Sequence, residues 1–283
     1  MHLAICPKAA PDDFFGRFRE VVSDPLNMLI CRNPRAGYVE DGLVYLHNGL
    51  RVPVSGEHSY YGEFSLILII NRGVHEPLEE FVFQELLKRL PPAPVMLELG
   101  AYWGHYSMWL KLARPAAIVH LIEPEAANLQ CGRNNFELNG FTGVFEQAFV
   151  GNGHFEVDQY VQREKLPKLE VLHADIQGYE LEMLHGCRHT LSRAAVDYIF
   201  VSTHSQELHE GTLKMLSALG YRIEVSADFD TGTTSHDGFV FASNTSLPPL
   251  FHEFEPLLRT RLIEVRPTQL VQYLARVVDR ASD

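Results

Sequence analysis

One stretch constrains this 283-residue chain more than any other: Val95-Met96-Leu97-Glu98-Leu99-Gly100-Ala101-Tyr102-Trp103-Gly104-His105-Tyr106-Ser107. An apolar run of strand length, with an acid near its tip, passes into a Gly-x-x-x-Gly turn and then directly into a helical pattern. Glycine lets bare backbone come close to a ligand, and the free amides that open a helix point toward the same place. A strand–turn–helix junction can also carry two glycines for steric reasons alone. The remaining sequence has to supply the partners that a nucleotide-like cofactor requires.

Downstream of Pro91-Pro92-Ala93-Pro94 the pattern alternates strand and helix. Strands are predicted at Val95–Leu99, Ile118–Glu123, Val144–Val150, Leu169–Asp175 and Tyr198–Thr203, with a short one at His154–Val157. Helices are predicted at Tyr106–Arg114, Ala126–Leu138, Glu180–Leu191 and Leu208–Leu219. Tyr221–Val225 and Phe239–Ala242 read as a closing antiparallel pair. Continuous apolar strands that alternate with helices imply an α/β fold, a doubly wound, Rossmann-like, mostly parallel sheet covered on both faces. Such a sheet binds ligands beyond the carboxyl ends of its strands, where strand order reverses.

Residues 1–90 read as an N-terminal extension that caps the substrate side, 91–245 as the cofactor-binding domain and 246–283 as a helical tail. In the extension, Phe14, Phe15, Phe18, Val21 and Val22 fit one helical face between Pro11 and Val22. Asn48-Gly49 between Val44–His47 and Leu50–Val54 signals a β-hairpin, with Pro53 on an exposed edge. A helix is expected from Leu78 to Leu90, and another from Thr268 to Arg280 with Leu270, Val271, Leu274, Val277 and Val278 on one face. That stripe suits docking or packing in a homo-oligomer, as does the N-terminal extension.

A net charge of −12 argues against a nucleic-acid groove or an anionic membrane surface. The longest aliphatic run, Leu66–Ile70, is far too short to span a bilayer. Cys6, Cys31, Cys131 and Cys187 form no CxxC pair, and the first residues do not have the pattern of a signal peptide; a reduced, cytoplasmic protein is the simple expectation.

Glu123 ends the second strand about twenty residues after the glycine turn, where a doubly wound sheet presents an acid to a ribose diol. A dinucleotide would want a fuller Gly-x-Gly-x-x-Gly for its pyrophosphate. Here the spacing is Gly-x-x-x-Gly and a second acid, Glu98, precedes it, which favours a ligand without phosphates. S-adenosylmethionine fits, with its ribose, adenine and cationic sulfonium. An NAD-linked oxidoreductase on a related sheet, or a catalytically silent binding protein that keeps the cofactor fold, are the alternatives.

Three blocks together resemble the FkbM family of class I S-adenosylmethionine-dependent methyltransferases: Glu98–Ser107, Ile122–Leu129 running on to Asn135–Gly140, and His173-Ala174-Asp175-Ile176-Gln177-Gly178-Tyr179-Glu180 through Gly186. The similarity spans roughly residues 60 to 245. Glu98 stands where Asp is usual, His173 where lysine is usual, and Gln177 replaces a customary acid. The resemblance implies methyl transfer to a hydroxyl of a small molecule, a sugar or natural-product intermediate. On this reading Glu98, Gly100 and Gly104 hold the methionine end and Glu123 the ribose, Glu146-Gln147-Ala148 approaches the adenine, and Ala101, Tyr102 and Ser107 complete the cofactor shell.

Methyl transfer is an in-line displacement, so positioning and removal of the acceptor's proton carry the catalysis. Asp175, at the end of the fourth strand, is the candidate acceptor-orienting or metal-binding carboxylate; capping the next helix is its competing role. His204, after the fifth strand, is the candidate base or ligand. Asp175, His204 and His236 or Asp237 form a candidate divalent-metal set. His173 reads as a hydrogen-bonded core histidine, and His185 and His189, four apart, lack a third ligand. Tyr102 and Trp103 could face a sulfonium. Arg72, His75 and Glu76, in the polar loop that runs from Tyr60, are the candidate acceptor-binding residues.

Overall fold

Alternation along the central strands divides the core in two. The computed structural model describes residues 13–56, 58–60, 62–151 and 153–281; Cys6, Pro11 and Tyr61 lie outside them. In chain order the elements are α1 (Phe14–Ser23), β1 (Val39–Glu40), β2 (Leu43–Tyr45), β3 (Arg51–Pro53), α2 (Ile67–Ile70) and α3 (Pro77–Leu87). Then follow β4 (Val95–Leu99), α4 (His105–Ala113), β5 (Ile118–Glu123), α5 (Ala126–Leu138), β6 (Val144–Gln147) and α6 (Val157–Arg163). The chain continues through β7 (Leu169–Ala174), α7 (Glu180–Gly186), α8 (Arg188–Ser192), β8 (Val196–Thr203) and α9 (Gln206–Ala218). It ends in β9 (Tyr221–Ala227), β10 (Gly238–Asn244), α10 (Arg259–Leu262) and α11 (Pro267–Ala281).

The seven-stranded sheet runs β6-β5-β4-β7-β8-β10-β9. β4 pairs parallel with β5 on one side and β7 on the other, so strand order reverses beside it. β10 is antiparallel to both β8 and β9, the closing pair expected from sequence. Met96, Val171, Phe200 and Phe241 face the core that holds α3, α4 and the N-terminal segment. Their neighbours Leu97, Leu172, Ile199 and Val240 face the core built with α6, α7, α8 and α9. By the same two-residue period Glu98 and His173 stand on the first face, side by side in register.

The extension forms the antiparallel sheet β1-β2-β3. β2 and β3 pair with Tyr45 opposite Arg51, around Asn48-Gly49, and Pro53 sits on the edge strand. Phe18, Leu26 and Phe64 share one core with the main sheet.

Two expectations fail for local reasons. The short strand at His154–Val157 is absent; only a bridge joins Val150 and Phe155, and α6 begins at Val157. Val157, Tyr160 and Val161 have helical spacing and are buried. The helix expected over Glu180–Leu191 breaks at Cys187 into α7 and α8, because Asp158 of α6 caps the second one through the amides of His189 (2.8 Å) and Thr190 (2.7 Å). In α11, Val277 is buried whereas Val271 is 67% exposed, so the apolar stripe docks along one edge only. No helix among the described residues is long and apolar enough to cross a membrane.

Candidate functional site

A cavity of about 520 Å³ opens at the carboxyl ends of β4, β5, β7 and β8, within the range of small-molecule sites. Arg17, Tyr60, His75 and Glu76 of the extension wall one part of it; Glu98, Gly100, Ala101, Tyr102, Glu123, Phe149, Val150, Asp175, His204, His236 and Asp237 line others. Arg72 does not line it: that residue is exposed at positive φ (53°), so its expected acceptor-binding place is not supported.

The glycine turn works differently from its sequence reading. Gly100 has φ 70°, and a Cβ there would lie 1.8 Å from the carbonyl oxygen of Asp175. At Gly104 (φ 75°) a Cβ would meet the ring of Phe136 at 2.9 Å. Both glycines therefore serve protein packing. The amides of Gly100 and Ala101 donate to the Ile122 carbonyl at 2.9 and 3.0 Å, so they do not face a ligand. Gly104 does not line the cavity.

The amides that open α4 have an acceptor within the chain. Glu98, 3% exposed, takes a hydrogen bond from the Ser107 amide at 3.1 Å. Burial raises its pKa, partly offset by the His173 imidazole and by hydrogen bonds from Ser107 and Tyr106. Ser107 itself is buried behind this carboxylate, not at the cavity wall. With a carboxylate on the helix N-terminus, the anion site that a pyrophosphate needs is already filled.

Glu123 accepts from the Tyr102 amide (3.0 Å), the Glu125 amide (3.1 Å) and Asn128 Nδ2 (3.3 Å). Burial raises its pKa against those three donors. Those donors take three of the carboxylate's four acceptor positions, which leaves one, on Oε2, for a hydroxyl in the cavity that Glu123 lines. Gln147 and Ala148, expected beside adenine, fall elsewhere: Gln147 Nε2 donates to the Pro124 carbonyl at 3.0 Å, and Ala148 faces a neighbouring groove with Glu146. β6 ends at Gln147, and the chain then turns Phe149 and Val150 into the cavity.

Asp175 follows β7, its amide held by the Leu99 carbonyl at 3.0 Å. His204 links three carboxylates: Nδ1 lies 2.6 Å from Glu180 Oε1, and Nε2 lies 3.3 Å from Asp175 Oδ1 and 3.7 Å from Asp237 Oδ1. Burial works to lower the His204 pKa, but hydrogen bonds and charge from Asp175, Glu180 and Asp237 outweigh it and raise it to about 10. The Asp175 carboxyl is pulled below its ordinary value: burial opposes this, and His204, His173 and Gln177 overcome it. His204 is thus an imidazolium at neutral pH, which removes it as a base. Its nitrogens face carboxylates, and Asp175, His204 and His236 are not gathered as a metal-binding group; among the described residues the triad whose ligand atoms converge is His47, Glu80 and His105.

His173 is the core histidine expected, with Nε2 2.5 Å from Glu79 Oε1. Glu79 Oε2 in turn accepts from Ser202 at 3.0 Å. Glu76 accepts from the Tyr106 hydroxyl at 2.9 Å, and burial, against the opposing pull of His75, raises it to about 8. Sequence reasoning missed Phe149 and Glu180 as parts of this site. Glu180 had a signal, since it stands within the third block; Phe149 had none.

A seven-stranded sheet in this order, with a single antiparallel strand one in from the edge and acids near the tips of β4 and β5, is the class I methyltransferase fold. The model of the methyltransferase FkbM domain matches residues 153–223, from the segment before α6 into β9. No curated protein matches the chain. Solved structures similar to it include a precorrin-6y C5,15-methyltransferase from Geobacter metallireducens GS-15 (16% identity, 58% of this chain and 86% of that one, TM-score 0.42). A ribosomal protein L11 methylase from Lactobacillus delbrueckii subsp. bulgaricus matches at 10% identity, over 60% and 80%, with TM-score 0.44. An O-methyltransferase from Bacillus cereus in complex with SAH matches at 14% identity, over 58% and 80%, with TM-score 0.40.

Proposed function

We propose that this chain transfers a methyl group from S-adenosylmethionine to a hydroxyl of a small molecule, a sugar or natural-product intermediate. The observation that carries the proposal is one cavity that holds both Glu123 and the Asp175–His204 ion pair. Bound in that cavity, the cofactor would supply a methyl group on a cationic sulfur. Glu123 would hold its ribose, the backbone from Gly100 to Tyr102 would border it, and Phe149 with Val150 would stand where Gln147 and Ala148 were expected. The carboxylate of Glu98 on α4 disfavours the NAD-linked alternative, because a pyrophosphate would meet a like charge.

Asp175 would accept a hydrogen bond from the acceptor hydroxyl and take its proton as the oxygen attacks. His204, protonated, would hold Asp175 ionised and fixed in orientation; it is a positioning residue. His75 and Glu76 would help to select the acceptor from the extension side, and His236 with Asp237 from the other. General-base removal of this kind contributes ~10²–10⁴ in rate. Transfer of labelled methyl from S-adenosylmethionine to a panel of sugars and secondary alcohols tests this. At least one hydroxyl acceptor should be methylated, and Asp175→Asn should cut kcat by ~100-fold or more with cofactor affinity within a few-fold of wild type. Cofactor binding without transfer to any acceptor, together with an Asp175→Asn variant indistinguishable from wild type, would favour a catalytically silent binding protein.

A further inference from the structure

We propose that His47, Glu80 and His105 form a buried site for one divalent transition-metal ion, zinc foremost, which ties the N-terminal extension to the helix after the glycine turn. The three residues come from separate segments: the loop between β2 and β3, the body of α3, and the first residue of α4. Their ligand atoms lie within 4.8 Å of one another, and their side chains are 1%, 0% and 2% exposed.

A second observation points to the same place. Nδ1 of His47 and both ring nitrogens of His105 are buried without a hydrogen-bond partner. Native proteins rarely leave that many buried polar atoms unsatisfied at one spot. His47 Nε2 and Glu80 Oε2 lie 3.0 Å apart, so a metal ion seated between them would take over a contact that already gathers the two ligand atoms.

The carboxylate is also oriented. Glu80 Oε1 accepts from the amides of His75 (2.8 Å) and Glu76 (3.0 Å) and lies 2.7 Å from His75 Nδ1, which leaves Oε2 toward the histidines. This is the supporting shell that metal ligands require. The Trp109 ring meets His47 edge-on at 4.4 Å, and Trp103 stacks on His105 at 5.0 Å, so both imidazoles are fixed and screened from water. Two imidazoles and a carboxylate form a donor set that zinc accepts readily. His105 also borders the cavity that holds Asp175 and His204, but the two groups share no residue, and the metal proposal does not depend on the methyl-transfer reading.

The test is zinc titration of the chelator-stripped full chain against a chromophoric zinc indicator, together with thermal melts. One equivalent of Zn²⁺ should bind and raise the melting temperature. His105→Ala and Glu80→Gln should each weaken binding by at least the ~100-fold that loss of a supporting partner alone can cause, and should abolish the zinc-dependent shift. His185→Ala, at an exposed histidine, should bind as wild type does. Should the two variants not fold, Co²⁺ absorption of the wild-type chain decides, with visible d–d bands from nitrogen and oxygen ligation expected. Absence of stoichiometric zinc and cobalt binding, or undiminished zinc binding in a folded His105→Ala variant, overturns the proposal and leaves His47 and Glu80 as a buried ion pair.

Discussion

At neutral pH the imidazole of His204 carries a proton, because burial, which opposes charge, is outweighed by Asp175, Glu180 and Asp237. A histidine whose folded-state pKa lies above its unfolded value stabilises the fold fully below pH 6.5. It gives that stability up as pH rises through about 10. Nitrogen-detected NMR should therefore find His204 still protonated at pH 8, whereas titration near 6.5 would contradict the ion pair. His204→Gln should raise the Asp175 pKa and move the acid limb of any kcat/KM profile upward. The place of Asp175 and His204 at a shared sheet edge was legible in the sequence, because both follow apolar strand runs. The protonation state was not, since it depends on Glu180, which only folding brings to within 2.6 Å of His204.

The turn between β4 and α4 is over-determined. Gly100 combines φ 70° with a missing side chain whose place is filled by the Asp175 carbonyl at 1.8 Å. Gly100→Ala should cost roughly 3 kcal/mol or more in urea unfolding, from backbone strain and overpacking together. Gly220→Ala, at φ 83° with nothing within 4 Å, should cost only the conformational ~1 kcal/mol. Equal losses at the two positions would show that the close approach of β7 to the turn is unimportant. β4, β5 and α5 were legible in the sequence to the residue, because continuous apolar runs with sharp glycine and proline punctuation mark them. The α7–α8 break was illegible because its cause, the Asp158 cap, comes from another helix. The two glycines were visible, but whether their bare sides face ligand or protein depends on which strand lies alongside.

Across the whole molecule, the extension and the sheet share a core, and buried carboxyls, Glu79 and Asp24 among them, join their polar parts. Asp24, 4% exposed, accepts from the Leu26 amide at 2.8 Å and from the Thr234 hydroxyl at 2.5 Å. Burial, only partly countered by those two donors, raises its pKa from 3.8 to about 6. An acid that holds its proton more tightly folded than unfolded loses stability as pH rises between those values, here by ~3 kcal/mol. Asp24→Asn keeps the amide acceptor and removes the titration. Compared with wild type, it should gain stability progressively from pH 4 to pH 7 in chemical unfolding; a constant difference across that range would contradict the raised pKa. The extension's helix and hairpin were legible from periodicity and from Asn48-Gly49, but their burial against the methyltransferase sheet was not, because shared packing leaves no local pattern.

On the proposed function, the cavity between β4, β5 and β7 takes an adenosyl amino acid rather than a dinucleotide. Calorimetric titration of the wild-type chain with S-adenosylhomocysteine and, separately, with NAD tests it most directly. One S-adenosylhomocysteine site in the micromolar range is expected, weakened at least ~10-fold by Glu123→Gln as a diol loses its charged acceptor, and no heat with NAD. Binding of NAD, with none of S-adenosylhomocysteine, would contradict it.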